Sequence, residues 1–407
     1  MNPPYTRIGI IREGKQPADK RVALPPALCR ELLDRHPHID LAVQRSPTRA
    51  FTDDEYAALG ITLVDDLHDR ELIIGVKEVP VDMLIPGKSY LFFSHTIKKQ
   101  PHNQRMLQAI LERKITLIDH ELLTDRDGSR VLAFGRWAGV VGAYNALRAW
   151  QLTHGSVSLK PAHACHDRKE MMEHAVEFAV PRDLRIVLTG GGRVGGGAME
   201  VLDAIGIRRV AAADFLSGQF DGPVYTVLGS SELYARNDGQ SFDRVAFHND
   251  PSGHHGIFLP YARKAQMYFA CHFWDPRGPK ILSRNDLRDP ELSLQVIADI
   301  SCDVGGPIDS TLHATTIASP FYGYDRLAHA EVAAGTPGSI TVMAVDNLPC
   351  ELPRDASTAF GRDLLDLVIP ELLGGDEHGM IARATIVRDG ELTRPFHQLK
   401  EYAMTPA

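Results

Sequence analysis

The stretch RIVLTGGGRVGGGAMEVLDAIG, residues 185–206, decides how this chain is read. Its first residues form a short apolar run of strand length. Ala198, Val201, Leu202 and Ile205 then recur at helical spacing, so the glycines fall at a strand-to-helix turn. There Gly190, Gly192 and Gly195 make a GxGxxG pattern, which lets backbone amides and a helix N-terminus approach a pyrophosphate. Glycine-rich turns also occur where a helix merely packs close to a sheet, so a second signal is needed. The next apolar run, VAAAD, ends at Asp214, roughly 20 residues beyond the last glycine, where a carboxylate accepts hydrogen bonds from ribose hydroxyls. No Lys or Arg follows in FLSG to meet a 2′-phosphate. The pattern predicts a dinucleotide site that favours NAD, with NADP as the alternative.

Outward from this turn, apolar runs at 267–273, 295–300 and 340–345 continue an open α/β sheet. Residues 218–256 are rich in Gly, Ser, Asp and His and are expected to be mostly loop. Upstream, WAGVVGAYNALRAW at 137–150 carries the small residues Ala138, Gly139, Gly142 and Ala143, which suit tight packing, and an interdomain hinge is expected there. The first third has strand-like runs at 8–11, 72–76, 90–93 and 115–118. Between them lie helical patterns, one starting at Pro25 and one with Met106, Leu107, Ile110 and Leu111 on a single face. Strands separated by helices imply a parallel sheet with helices packed on it. A late helix with Phe360, Leu364, Leu365 and Val368 on one side is expected to pack back on this first domain.

The chain has 407 residues and a formal net charge of −8, with no long basic run, so it lacks the footprint of a nucleic-acid binder. No run of about 18 apolar residues and no signal-peptide core is present, which argues against membrane association. Cys29, Cys165, Cys271, Cys302 and Cys350 are widely spaced and never in a CxxC pair, a pattern suited to a reducing, cytoplasmic setting.

Two buried runs of the first domain lead directly into ionisable groups: LIIGV into Lys77 and Glu78, and YLFFS into His95. Ligands of open α/β sheets collect at the carboxyl ends of strands. A desolvated lysine and an imidazole there form a pair able to exchange protons near neutral pH. A surface lysine paired with Glu78 and a hydrogen-bonded structural histidine are the competing readings. Arg21, Lys98 and Arg130 are candidate carboxylate anchors. His163, Cys165 and His166, and His248, His254 and His255, lack the spacing of metal ligands, and no metal is expected.

The runs REGKQPADKRVALPP, GVKEVP, FFSHTIKKQ, LIDHELL, RVLAFGRWAGVVGA, GGGRVGGGA, ADISCDVGG and AVDNLPCELPRDAS, in that order, resemble the saccharopine dehydrogenase (lysine-forming) and lysine-ketoglutarate reductase family. That family lies within the alanine dehydrogenase and transhydrogenase group. The resemblance implies two Rossmann-like α/β domains with parallel sheets and an interdomain active-site cleft. It divides the chain into a catalytic domain, 1–137 plus 349–407, and an NAD(P)-binding domain, 138–348. It also implies that Lys77 and His95 are the acid-base pair, with Glu78 and Glu121 as tuning carboxylates. Arg21, Lys98, Gln100, Arg130, Phe134, Ser301, Cys302 and Asp303 would line the substrate site. Gly190, Gly192, Arg193, Gly195, Asp214, Phe273, Ile300, Val345, Asp346, Asn347 and Leu348 would contact the cofactor. Two departures stand out: Ser129 replaces an arginine of fungal members, and ACHFW at 270–274 replaces an Asn-x-Ile-Tyr pattern.

The activity so implied is oxidoreduction at the C–N bond of saccharopine, interconverting it with L-lysine and 2-oxoglutarate. Small amino acids and oxo acids are then the partners. An alanine dehydrogenase, an opine-type N-(carboxyethyl) amino-acid dehydrogenase and a non-catalytic NAD sensor are the alternatives.

Overall fold

The computed structural model describes residues 5–155 and 157–405. The chain divides into two compact units, Met1–Phe134 with Pro353–Ala407, and Gly135–Leu352.

The first unit is built on an eight-stranded sheet. From one edge its order is Glu391–Leu392, Thr385–Arg388, Thr116–Asp119, Ser89–Phe92, Leu72–Ile74, Arg7–Ile10, Asp40–Gln44 and Thr62–Val64. The last six are mutually parallel, Thr385–Arg388 runs antiparallel to them, and Glu391–Leu392 pairs antiparallel with Thr385–Arg388. Leu72 and Ile74 point into one core with Leu28, Leu32, Phe360 and Leu364, while Ile73 points into the other with Met106, Leu107 and Ile110. That alternation explains the unbroken apolar run, because both faces of the strand are covered. The late helix, Pro353–Asp363, continues through a π turn and does pack onto this unit, as its apolar face implied. The chain lays Arg7–Ile10 first, builds outward to Thr62–Val64, then returns to place Leu72–Ile74 on the other side. The boundary between Arg7–Ile10 and Leu72–Ile74 is therefore a topological switch point, where crevices open at carboxyl ends.

The second unit also holds eight strands, in the order Ala330–Val332, Phe321–Asp325, Ile340–Met343, Val296–Asp299, Met267–Ala270, Arg185–Thr189, Val224–Leu228 and Arg208–Val210. The last six are parallel, Phe321–Asp325 runs antiparallel to them, and Ala330–Val332 pairs antiparallel with Phe321–Asp325. Two expectations are corrected here. The strand after the glycine turn ends at Val210, and Asp214 lies on the short helix Ala212–Ser217. The segment read as loop contributes Val224–Leu228, which takes the place beside Arg185–Thr189 and leaves Arg208–Val210 at the edge. Burial accounts for the order: VYTVL is largely covered, whereas both arginines of RRV are exposed.

The stretch expected to hold the hinge is the helix Gly135–Thr153, buried along most of its length within the second unit. A Cβ on Gly139 would fall 1.8 Å from the Val194 carbonyl oxygen, and one on Gly197 2.0 Å from that of Arg136. Its small residues let two helix backbones touch. Among the described residues no helix is long and apolar enough to cross a membrane.

Candidate active site

At the switch point of the first unit, Arg7–Ile10 leads into Glu13 and Leu72–Ile74 into Lys77. The Glu13 carboxylate accepts the backbone N–H of Val76 at 2.7 Å and that of Lys77 at 2.8 Å, one on each oxygen. Sequence reading missed Glu13. Its only local signal is an acid a few residues beyond a buried strand, and the contact that matters is with another strand. Desolvation, with Asp19 adding to it, pushes the Glu13 carboxyl up to about 8 against the pull of the two amides and Arg21.

Lys77 Nζ has no hydrogen bond or ion pair among the described residues. Burial first, then the positive charges of Arg21 and Lys15, lower its pKa, with Glu78 and Asp19 opposing. More of this amine is neutral at moderate pH than of an ordinary lysine. Next to it, Glu78 Oε1 lies 2.5 Å from His95 Nδ1, and Oε2 accepts Lys15 Nζ at 3.1 Å. Burial raises the Glu78 pKa, but the His95 bond and charge, a backbone amide and Lys15 outweigh it and bring it to about 2. An ionised carboxylate only accepts, so His95 Nδ1 carries a proton and Nε2 is left for proton exchange.

His95 itself is held at φ 52°, and Lys99 at 51°, at either end of the Thr96–Lys98 turn. Left-handed non-glycine residues are uncommon and persist where the surroundings over-determine them. Here Ser94 donates both its hydroxyl and its N–H to Asp119, whose other oxygen takes the Glu121 N–H at 2.8 Å. Phe93 stacks on His95 with ring centroids 6.1 Å apart, and Phe134, Phe360 and His120 complete an aromatic floor. Burial holds His120 at about 3, so it is neutral and donates Nε2–H to the Gly75 carbonyl at 2.9 Å.

The carboxylate anchors sort themselves by access. Arg21 is 2% exposed, its fork paired with Asp19 at 3.0 and 2.6 Å and its guanidinium 4.2 Å from the centre of the Phe134 ring. Its charge is thus matched by a resident anion, as a buried guanidinium requires. Lys98 and Arg130 instead reach a shared Glu121 oxygen at 3.1 and 3.6 Å, with 46% and 40% of their side chains exposed. The other Glu121 oxygen, Oε2, is buried with no hydrogen-bond partner among the described residues. Gln100 is exposed, its amide oxygen accepting from Asn103.

The second unit's carboxyl edge is of another kind. Gly190 adopts φ 87°, and a Cβ there would strike the Cys271 oxygen at 2.7 Å and the His272 Cα at 2.8 Å. At Gly195 a Cβ would lie 1.9 Å from the Gly190 oxygen, while Gly192 faces open space at the start of the helix Arg193–Ala204. Bare backbone ahead of a helix of this length is a surface on which a pyrophosphate fits. Arg193 is exposed beside it, and Phe273, 89% exposed, follows Met267–Ala270. Asp346 and Asn347 follow Ile340–Met343 at the same edge. Ile300, Val345 and Leu348 are 6%, 1% and 1% exposed, so their side chains belong to the core and only their backbone can meet a ligand. Ser301 Oγ donates to the Ala270 carbonyl at 3.1 Å. Burial pushes the Cys302 thiol up to about 12, and burial together with Asp299 raises Asp303 to about 6. Asp214 is exposed on its edge helix, one strand away from the expected position.

Two other features lie apart from these edges. Cys165, Glu170 and His174 bring ligand atoms within 4.8 Å of one another, but Glu170 is ion-paired with Lys160, whose ammonium already holds the charge position a metal would take. A groove of about 600 Å³ is lined by Gln266, Gln295 and Ser339, which precede strands, and so marks the amino edge of the second sheet.

The first unit thus offers a switch point lined with ionisable groups, and the second a glycine cradle at the carboxyl edge of its sheet. Residues 9–141 match the alanine dehydrogenase/PNT N-terminal domain. The solved structure of an L-alanine dehydrogenase superposes with a TM-score of 0.66 at 17% identity, covering 97% of this chain and 99% of that one, a likeness of fold. The alpha-aminoadipic semialdehyde synthase of Rattus norvegicus, a mitochondrial protein, is 32% identical over 86% of this chain and 42% of its own length. The chain thus spans about two fifths of that relative. The saccharopine dehydrogenase (NAD(+), L-lysine-forming) of Emericella nidulans is 26% identical over 87% of this chain and 89% of its own. Both are proteins to which this chain is similar, and residues 9–141 carry the likeness to the alanine dehydrogenase/PNT N-terminal domain.

Proposed function

We propose that this protein is a nicotinamide-dependent oxidoreductase that interconverts saccharopine with L-lysine and 2-oxoglutarate. The observation that carries the reading is the unpaired Lys77 amine beside the Glu78–His95 pair at a sheet switch point. The curated relatives named above support the choice of substrate.

In the oxidative direction Lys77, whose charge burial disfavours, takes in its neutral form the proton of the substrate's secondary amine. The glycine turn would hold the pyrophosphate of a nicotinamide cofactor, which when bound would supply the acceptor for the hydride of the glutamyl α-carbon. His95 Nε2 then takes a proton from the water that adds to the substrate imine, and returns one to nitrogen as the carbinolamine C–N bond breaks to release lysine. Glu78 stays ionised throughout and stabilises the imidazolium that forms. Arg130 and Lys98, exposed and close to Glu121, hold substrate carboxylates, and Arg21 with Asp19 and Phe134 stiffens the floor beneath. The widely spaced cysteines, not joined in disulfides among the described residues, favour a cytoplasmic setting.

The test is a substrate panel followed by NADH and NADPH absorbance. Turnover with lysine and 2-oxoglutarate, and with saccharopine in reverse, is expected. Preference for pyruvate with ammonia or with another amino acid would move the protein to the alanine or opine dehydrogenases. Nucleotide binding without turnover of any pair would mark a sensor.

A further inference from the structure

We infer that Glu232, not Asp214, is the carboxylate that reads the adenosine ribose of the nicotinamide cofactor, an assignment resting on the function proposed above. In doubly wound sheets the ribose hydroxyls meet an acid at the carboxyl end of the strand beside the glycine-turn strand. In this protein that strand is Val224–Leu228. It pairs with Arg185–Thr189 along its whole length, from Arg185 opposite Val224 to Thr189 opposite Leu228. The Gly190 N–H donates to the Leu228 carbonyl at 2.9 Å, and Val227 Cγ1 lies 3.7 Å from where a Cβ on Gly191 would stand. The glycine turn and the end of this strand are neighbours. Asp214 follows Arg208–Val210, which pairs only on the far side of Val224–Leu228.

Beyond Leu228 the chain reads Gly229, Ser230, Ser231, Glu232. Glu232 folds back on this turn: Oε2 accepts the Gly229 N–H at 2.8 Å and Oε1 accepts the Ser231 hydroxyl at 2.9 Å. The carboxylate is thereby held at the strand's end and half-buried, with acceptor capacity left on both oxygens for a ribose diol. A fixed negative charge there accepts from 2′- and 3′-hydroxyls and repels a 2′-phosphate. The NAD preference first read from Asp214 is kept and transferred to a residue in the segment expected to be loop.

The experiment is calorimetric titration of the full chain with 5′-ADP, which presents the diol, and with 2′,5′-ADP, which presents the phosphate. The wild type should bind 5′-ADP more tightly. Glu232→Gln keeps an acceptor for Gly229, so it should fold normally, lose about tenfold in 5′-ADP affinity as charge-assisted hydrogen bonds are removed, and narrow the gap between the probes. Asp214→Asn should change neither affinity. Tighter 2′,5′-ADP binding by the wild type, an unaffected Glu232→Gln, or loss confined to Asp214→Asn would each overturn the assignment and leave the proposed function standing. A wild-type chain that binds neither probe would overturn both.

Discussion

The two units use one scaffold for opposite purposes. Each is a doubly wound, mainly parallel sheet whose first strand borders a switch point. At that point the first unit gathers Glu13, Lys77, Glu78 and, one strand on, His95, whereas the second presents Gly190, Gly192 and Gly195 with almost no side chain. Fold alone therefore says where a ligand sits, and residue type says what is done to it. Desolvation makes ionisable groups useful at the first edge by moving their proton affinities, and absence of Cβ atoms makes the second edge useful by exposing amides.

The contrast breaks most visibly if the first edge does not move protons. Lys77→Met and His95→Gln should each lower kcat by about 10² to 10⁴ while nucleotide affinity and Tm stay near wild type. The double variant should lose less than the product of the two, because the second removal acts on a path already interrupted. kcat/KM in the oxidative direction should rise with pH as Lys77 deprotonates and level off below the ordinary lysine value of 10.5, since its pKa is lowered. Near-normal turnover in either single variant would make that residue structural.

The second edge is tested by filling it. Gly195→Ala places a Cβ on the Gly190 carbonyl, so the helix must shift away from the turn. A stability loss of ~1–3 kcal/mol in urea unfolding is expected, as for other overpacked sites, together with weakened 5′-ADP binding and unaltered ionisation at the first edge. Intact nucleotide binding would mean that the turn serves packing alone.

Glu13 sharpens the comparison, since its hydrogen bonds at the first edge go to the backbone of Val76 and Lys77. Glu13→Gln leaves one of two buried N–H groups facing an amide donor, a loss of ~1–3 kcal/mol for an unsatisfied group. Lys77 should then be less well aimed, with a lower kcat and a displaced alkaline limb of the pH profile. A drop in Tm with an unchanged profile would confine Glu13 to a structural role.

The smallest effect concerns Glu78. Its folded pKa of about 2 lies below the ordinary 4.5, so its ionised form stabilises the fold above about 4.5 and that contribution is lost as pH falls toward 2. Glu78→Gln should flatten the stability curve across that window only. An identical acid limb in variant and wild type would show that the His95 and Lys15 contacts add nothing to folding.

Much of this site was readable in the chain itself. LIIGV and YLFFS announce buried strands because both faces must be apolar, and a residue just past such a strand has to emerge at the sheet's edge, which places Lys77 and His95. GGGRVGGG announces its turn through local backbone chemistry. The position of Asp214 was misjudged because its spacing from the glycines fits a sheet in which consecutive strands are neighbours. Strand order is a contest between distant segments, and here the better-buried VYTVL took the inner position from RRV. The burial of Arg21 was not legible, because its pairing with Asp19 and its seat on Phe134 depend on a folded loop and a distant ring. Periodicity, turn chemistry and residue type are properties of a short stretch, so the sequence by itself determined the class of fold and the positions of Lys77 and His95 just past two buried strands. Which strand lies beside which, which charge finds a buried partner and which carboxylate bridges two strands were decided only by the tertiary structure, because each depends on burial shared between residues far apart in the chain.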